Sequence, residues 1–114
     1  MNHMVRDYLI SKAKTKEMVN YTELNNNCSL RLDFNISVDR STIGNILGII
    51  STYEHENKRP LISSIVVNKN TFENGDGFYN LCEDLGIGDK MKLKNDLFGI
   101  VQMNKSFDYW SNNI

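Results

Sequence analysis

Proline occurs once in these 114 residues, at Pro60, and cysteine twice, at Cys28 and Cys82. Charge of one sign is also missing: 13 lysines and arginines face 14 aspartates and glutamates, a net charge of −1. That balance excludes a global basic field. A role on nucleic acid then requires Lys and Arg gathered locally, because affinity for phosphates comes from such charges. The cysteines lie far apart and form neither a Cys-x-x-Cys pair nor a Cys/His cluster, so buried thiols in a reducing compartment are expected. No apolar run approaches the ~18–20 residues of a membrane span. The N-terminus lacks the charged-then-apolar order of a secretory signal, and a cytoplasmic location is expected.

What is present is ordinary for a soluble chain: 40 % apolar and 24 % charged residues. The length is near the commonest domain size. No internal repeat and no linker divides it, so a single domain over residues 1–114 is expected.

Residues 4–19 place Val5, Tyr8, Leu9, Lys12 and Ala13 at helical spacing. Lys12, Lys14 and Lys16 gather near the C-terminal end, where cations complement the helix dipole. Tyr21-Thr22-Glu23-Leu24 opens a short second helix that Thr22 can cap, and Asn25-Asn26-Asn27 ends it. Leu30, Leu32, Phe34 and Ile36 alternate with Arg31, Asp33 and Asn35, which fits a half-buried strand or an ordered loop supplying apolar anchors. Asp39 or Ser41 can cap a long helix stopped by Pro60, with Ile43, Ile46, Leu47, Ile50 and Tyr53 on one buried face. Gly44 and Gly48 lie four apart on that helix, a spacing that points to close approach of another backbone. Leu61 to Val67 reads as a buried strand, and Asn74-Gly75-Asp76-Gly77 as a tight turn whose residues can take positive φ. Phe78, Leu81, Cys82 and Leu85 mark a short helix ended by Gly86. A last helix runs from Asp89 to about Trp110. Helix, short helix, long helix and β-hairpin is the order of a winged helix-turn-helix domain. The expected fold class is therefore α+β: a winged helix-turn-helix core over about 20–78, with flanking N- and C-terminal helices, the latter part covering about 79–110.

Tyr21-Thr22-Glu23-Leu24, then Ile43-Gly44-Asn45-Ile46-Leu47, then Pro60 with Val66-Val67 and a glycine-rich turn, resembles the winged-helix domain of O6-alkylguanine DNA alkyltransferases and alkyltransferase-like proteins. That family reads Tyr-Gly-Glu-Leu, an Arg-x-Val-Gly helix, then Pro-Cys-His-Arg-Val-Val before a glycine turn. The resemblance covers roughly residues 20–78. Matching the paired valines puts Ser63 at the reactive cysteine and Ser64 at the histidine. Ser41 stands at the base-extruding arginine, with Arg40 one residue earlier. Alkyl transfer needs a thiolate activated by a neighbouring base, and neither Cys28 nor Cys82 can be moved there. What the resemblance implies is a scaffold for duplex DNA without the transfer chemistry.

On such a scaffold the long helix would enter the major groove and offer Arg40, Ser41, Thr42, Asn45 and Thr52. Arg and Asn pair bidentately with guanine and adenine edges. The wing would add Lys58, Arg59, Asn68, Lys69 and Asn70, with Arg6, Lys12, Lys14 and Lys16 as further phosphate contacts. The plainer reading of both sets is a solvated polar surface. Glu54 and Glu56 at the helix end would repel phosphate, and Glu73, Asp76, Glu83 and Asp84 follow the wing. Glu54-His55-Glu56 does not make a metal site: residues two apart on a helix point in different directions. Ser63 and Ser64 lack a second histidine for a nucleophilic triad. No cofactor, metal or catalysis is expected. Phe107, Tyr109 and Trp110 form an aromatic cluster suited to a packed helix end, or to a homodimer or protein-partner interface. The leading expectation is a small non-enzymatic DNA-binding or regulatory protein of the kind carried by bacteria, phages or mobile elements. The alternative is a protein-interaction module, an inhibitor or adaptor, that does not touch nucleic acid.

Overall fold

The computed structural model describes residues 1–113. Six α-helices, a 3-10 turn and two short strands follow one another: α1 (His3–Lys14), β1 (Val19–Asn20), α2 (Tyr21–Asn27), α3 (Ser37–Glu56), the 3-10 turn (Ile62–Ile65), β2 (Val66–Val67), α4 (Asp76–Asp84), α5 (Lys90–Asn95) and α6 (Phe98–Asn112). The fold is mixed, mainly helical, with a two-stranded parallel sheet pairing Val19 with Val66 and Asn20 with Val67. Among the described residues, no helix is long and apolar enough to cross a membrane.

α1 forms as its spacing predicts, burying Val5, Leu9 and Ala13. α2 is capped by Asn20 rather than Thr22. The Asn20 side-chain oxygen accepts from the Glu23 amide at 2.9 Å, and the Glu23 carboxylate accepts from the Asn20 amide at 3.4 Å. This reciprocal capping box starts the helix on the last residue of β1. Asn25, Asn26 and Asn27 lie inside α2, which ends at Cys28. Residues 30–36 form an ordered loop, not a strand; Leu30, Leu32 and Phe34 pack against the core while Ile36 is exposed. α3 begins at Ser37 with no side-chain cap. Asp39 instead accepts from the Asp33 amide at 2.8 Å, tying the loop to the helix.

The expected hairpin is absent. Residues 61–67 are buried on every side, wedged among α1, α3 and α6, so no solvent-facing set of side chains imposes strand alternation. The Asn74 carboxamide donates to the Ser64 and Val66 carbonyls at 2.8 and 3.1 Å, taking bonds that a returning strand would supply. Gly75 precedes α4 with φ −76, and Gly77 lies in the first turn of that helix. The reversal falls earlier. The Asn68 carbonyl accepts from the Phe72 amide at 2.7 Å, Asn68 N–H donates to the Glu73 carbonyl at 2.9 Å, and Phe72 takes φ +58.

The last helix is broken at Leu97, which has φ +56. The break lies where the chain passes from one core to the other. Leu93 on α5 joins Leu61, Phe78, Tyr79 and Cys82, whereas Met103 and Phe107 on α6 join the main core of α1, α3 and the buried 61–67 segment. Phe98, at the start of α6, packs against the smaller core as well.

Candidate functional site

α3 is amphipathic, and its buried stripe of Ile43, Leu47 and Ile50 fixes which way the remaining faces turn. On one side, α2, the 30–36 loop, the 3-10 turn and the 68–70 turn close around it, with α4 opposite. The result is a cavity of about 410 Å³, within the range of small-molecule sites. Tyr21 and Phe34 meet edge to face in its wall, with ring centroids 6.3 Å apart, and Phe78 faces them from α4. Burial pushes the Tyr21 phenol above its ordinary pKa, partly offset by a hydrogen bond with the Gly75 backbone, so it remains neutral.

Tyr21, Thr22 and Ser63 bring hydroxyl-bearing side chains to the lining. Ser63 is buried, and its Oγ accepts from Ser51 Oγ at 2.7 Å while its amide donates to the same Ser51 oxygen at 3.0 Å. Arg40 and Lys69 are the charged residues of the lining, with Asn68 and Asn70 beside Lys69; no carboxylate is among the lining residues. Arg40 Nη1 donates to the Phe34 carbonyl at 2.7 Å, which tethers the side chain across the loop. No histidine or carboxylate lines the cavity with Ser63. Among the described residues, no group of three or more His, Cys, Asp or Glu is placed to hold a metal ion.

The residues expected from sequence divide between two surfaces. Arg40, Asn68, Lys69 and Asn70 meet at the cavity. Ser41, Asn45 and Thr52 line a more open hollow on the outer face of α3, which Arg40 also borders and which Glu56 and Asp84 flank. Thr42 belongs to neither; it is half-buried, and its hydroxyl donates back to the Val38 carbonyl at 2.9 Å. Lys58 is exposed beyond the helix end, with φ +59, and lines neither surface.

Arg59 and Glu54 depart most from expectation. Glu54 is fully buried and does not face phosphate. Arg6 Nε donates to Glu54 Oε1 at 2.6 Å, and Arg59 Nε donates to Glu54 Oε2. The hydrogen bond to Glu54 raises the already high pKa of Arg59. Both guanidiniums stack on Tyr53, at 5.2 and 5.3 Å from its ring centroid, and Arg6 also lies over Trp110 at 5.8 Å. Arg6 and Arg59 are structural ties. Phe107 is buried in the core and Trp110 is half-buried, so much of the terminal aromatic cluster is used within the chain.

Nothing in the sequence marks Phe34 and Phe78 as parts of a site, and the spacing of Gly44 and Gly48 points to a backbone contact. A Cβ at Gly44 would meet nothing within 4 Å, and one at Gly48 only Leu81 Cδ1 at 3.9 Å. Both glycines open onto the cavity instead. No family model matches the chain, and neither a curated protein nor a solved structure matches it significantly.

Proposed function

We propose that this protein binds nucleic acid without catalysis, presenting duplex DNA with the α3 N-terminal half and the 68–70 turn. One observation carries the reading: Arg40, Lys69, Asn68 and Asn70 converge at one cavity whose lining holds no carboxylate. In a chain of net charge −1, such a locally basic, amide-rich spot is where a phosphate contact is least opposed. The neutralisation of Glu54 by two arginines removes one repulsive charge from the same helix. The winged-helix reading enters here as well, with α2 and α3 as the helix pair and the 68–73 turn in the place of a wing. Tyr21 and Ser63, which the alkyltransferase-like resemblance aligns with that family's motif tyrosine and reactive cysteine, both line this cavity, which is in keeping with the reading.

The test is fluorescence anisotropy of labelled duplex and single-stranded DNA at low and physiological salt. Micromolar duplex binding that weakens steeply with salt is expected, and Arg40→Gln and Lys69→Gln should each lower the salt slope by about 1. If both variants bind like the parent, the surface is misassigned.

A second reading has its own support. The outer hollow of α3 shows Ile49 55 % exposed and Tyr53 41 % exposed, beside Glu56 and Asp84. That mixed apolar and acidic surface suits a protein partner better than phosphate. It predicts no duplex binding even at low salt.

A further inference from the structure

Gly44 and Gly48 stand in the interior of α3, where each costs about 1 kcal/mol of helix stability relative to alanine. The fold does not require them. Neither they nor Gly77, which faces them from α4, adopts a left-handed φ. A Cβ at Gly44 or Gly77 meets no atom within 4 Å, and Leu81 Cδ1 near Gly48 is at ordinary contact distance, 3.9 Å. All three lie where the cavity adjoins the outer hollow and line both. Their missing side chains serve the space, not the packing around it.

The chemistry of the walls describes what fits. Tyr21, Phe34 and Phe78 offer flat apolar surface opposite the bare stretch of α3, which suits a planar ring. Ser63 accepts from Ser51 and keeps its own O–H to donate, one of several polar groups in the lining with Thr22, Asn68 and Asn70. Arg40 and Lys69 have no carboxylate partner among the described residues, and Arg40 commits only Nη1 to the Phe34 carbonyl. Two exposed cations without a carboxylate partner, on the rim of a space whose own lining holds no carboxylate, suit a ligand that carries an anion.

We infer that the cavity binds a free small molecule joining a flat ring to a phosphate, of the class of a nucleoside monophosphate. The ring lies along Gly44 and Gly48, and the phosphate is drawn to Arg40 and Lys69. The site shares Arg40 and Lys69 with the nucleic-acid reading, but its ligand is a free solute, and it stands whether or not duplex DNA binds.

The test is amide-resolved NMR of the full-length protein, titrated with the 5′-monophosphates of adenosine, guanosine, cytidine and uridine, the matching nucleosides, and ribose 5-phosphate. At least one monophosphate should saturate shifts at Gly44, Gly48 and Gly77 with a Kd of about 1 mM or tighter, and its nucleoside should bind about tenfold more weakly. Ribose 5-phosphate should not saturate them. Gly44→Leu should keep or raise the melting temperature and abolish the shifts. The double variant Arg40→Gln, Lys69→Gln should reduce the monophosphate to the affinity of its nucleoside. No saturable shifts with any monophosphate overturns the proposal. So does ribose 5-phosphate binding as tightly as the monophosphate, which would reveal an anion contact without a ring site. Shifts produced by oligonucleotides alone also overturn it while leaving the nucleic-acid reading intact. Should Gly44→Leu unfold, the parent titration decides.

Discussion

The two flanks of α3 treat their surroundings in opposite ways. Toward α1, the helix buries a full charge, Glu54, and surrounds it with Arg6, Arg59 and the ring of Tyr53. Toward α4, it omits side chains at Gly44 and Gly48 and leaves a cavity. A buried ion cluster is rarely the most stabilising filling for its volume, but it fixes geometry because removing one member strands the others. A glycine-lined cavity forgoes both helix propensity and burial. The first flank holds α1, α3 and the chain leaving α3 in one arrangement. The second is a space that this arrangement keeps open.

Glu54→Gln should give the largest effect on the sealed flank. It leaves two guanidiniums, 19 % and 18 % exposed, without their carboxylate, and a loss of about 3 kcal/mol in urea unfolding is expected. A loss near zero would mean that the arginines simply rehydrate, and that the contrast between the flanks is one of appearance.

Gly99 sharpens the contrast from another side, because this glycine is required. A Cβ there would collide with the Asn74 side-chain oxygen and stand 2.8 Å from the Tyr79 hydroxyl. That hydroxyl accepts from the Gly99 amide at 3.2 Å, and Asn74 holds the Ser64 and Val66 carbonyls. Gly99→Ala should destabilise by about 2 kcal/mol, measured by thermal or urea unfolding. An unchanged midpoint would show that α6 slides to relieve the contact.

The helices were legible wherever one apolar stripe met one core, as in α1 and α3. They were misread where a segment served two cores, as at Leu97, because periodicity carries no information about which core a turn will face. The 61–67 segment was legible as buried but not as a 3-10 turn. Its apolar residues look the same whether their backbone bonds go to a strand or to Asn74. At the candidate site, Arg40 and Lys69 stood out by charge type. The aromatic walls came from helix starts and a loop far apart in sequence, and no local pattern marks Tyr21, Phe34 and Phe78 as neighbours. In the sequence Glu54 reads as a surface charge, because its partner Arg6 lies 48 residues away.

Cys82 tests whether the small core behind α4 is as dry as the sealed flank. Burial pushes its thiol up to about 11 from 9.0. A raised pKa means that the folded state keeps the proton after the unfolded chain has released it. The associated stability is full below about pH 9 and is lost as pH rises toward about 11. The parent should lose about 1 kcal/mol more than Cys82→Ala on going from neutral pH to about pH 10. Equal slopes would show that water reaches the thiol, and thiol reagents should then modify it without unfolding.

Gly44→Ala is the smallest change and the most direct probe of the open flank. The substitution adds a methyl group where no atom lies within 4 Å, on a residue already in helical conformation. No contact opposes it, and the unfolded chain loses the extra freedom of glycine. The protein should gain about 0.5–1 kcal/mol, the reverse in sign of Gly99→Ala. If Gly44→Ala instead destabilises, the space beside α3 closes in solution, and the difference between the flanks disappears with it. If it stabilises, the parent sequence holds less stability than its fold allows, and it forgoes that stability at residues that line the cavity together with Arg40 and Lys69.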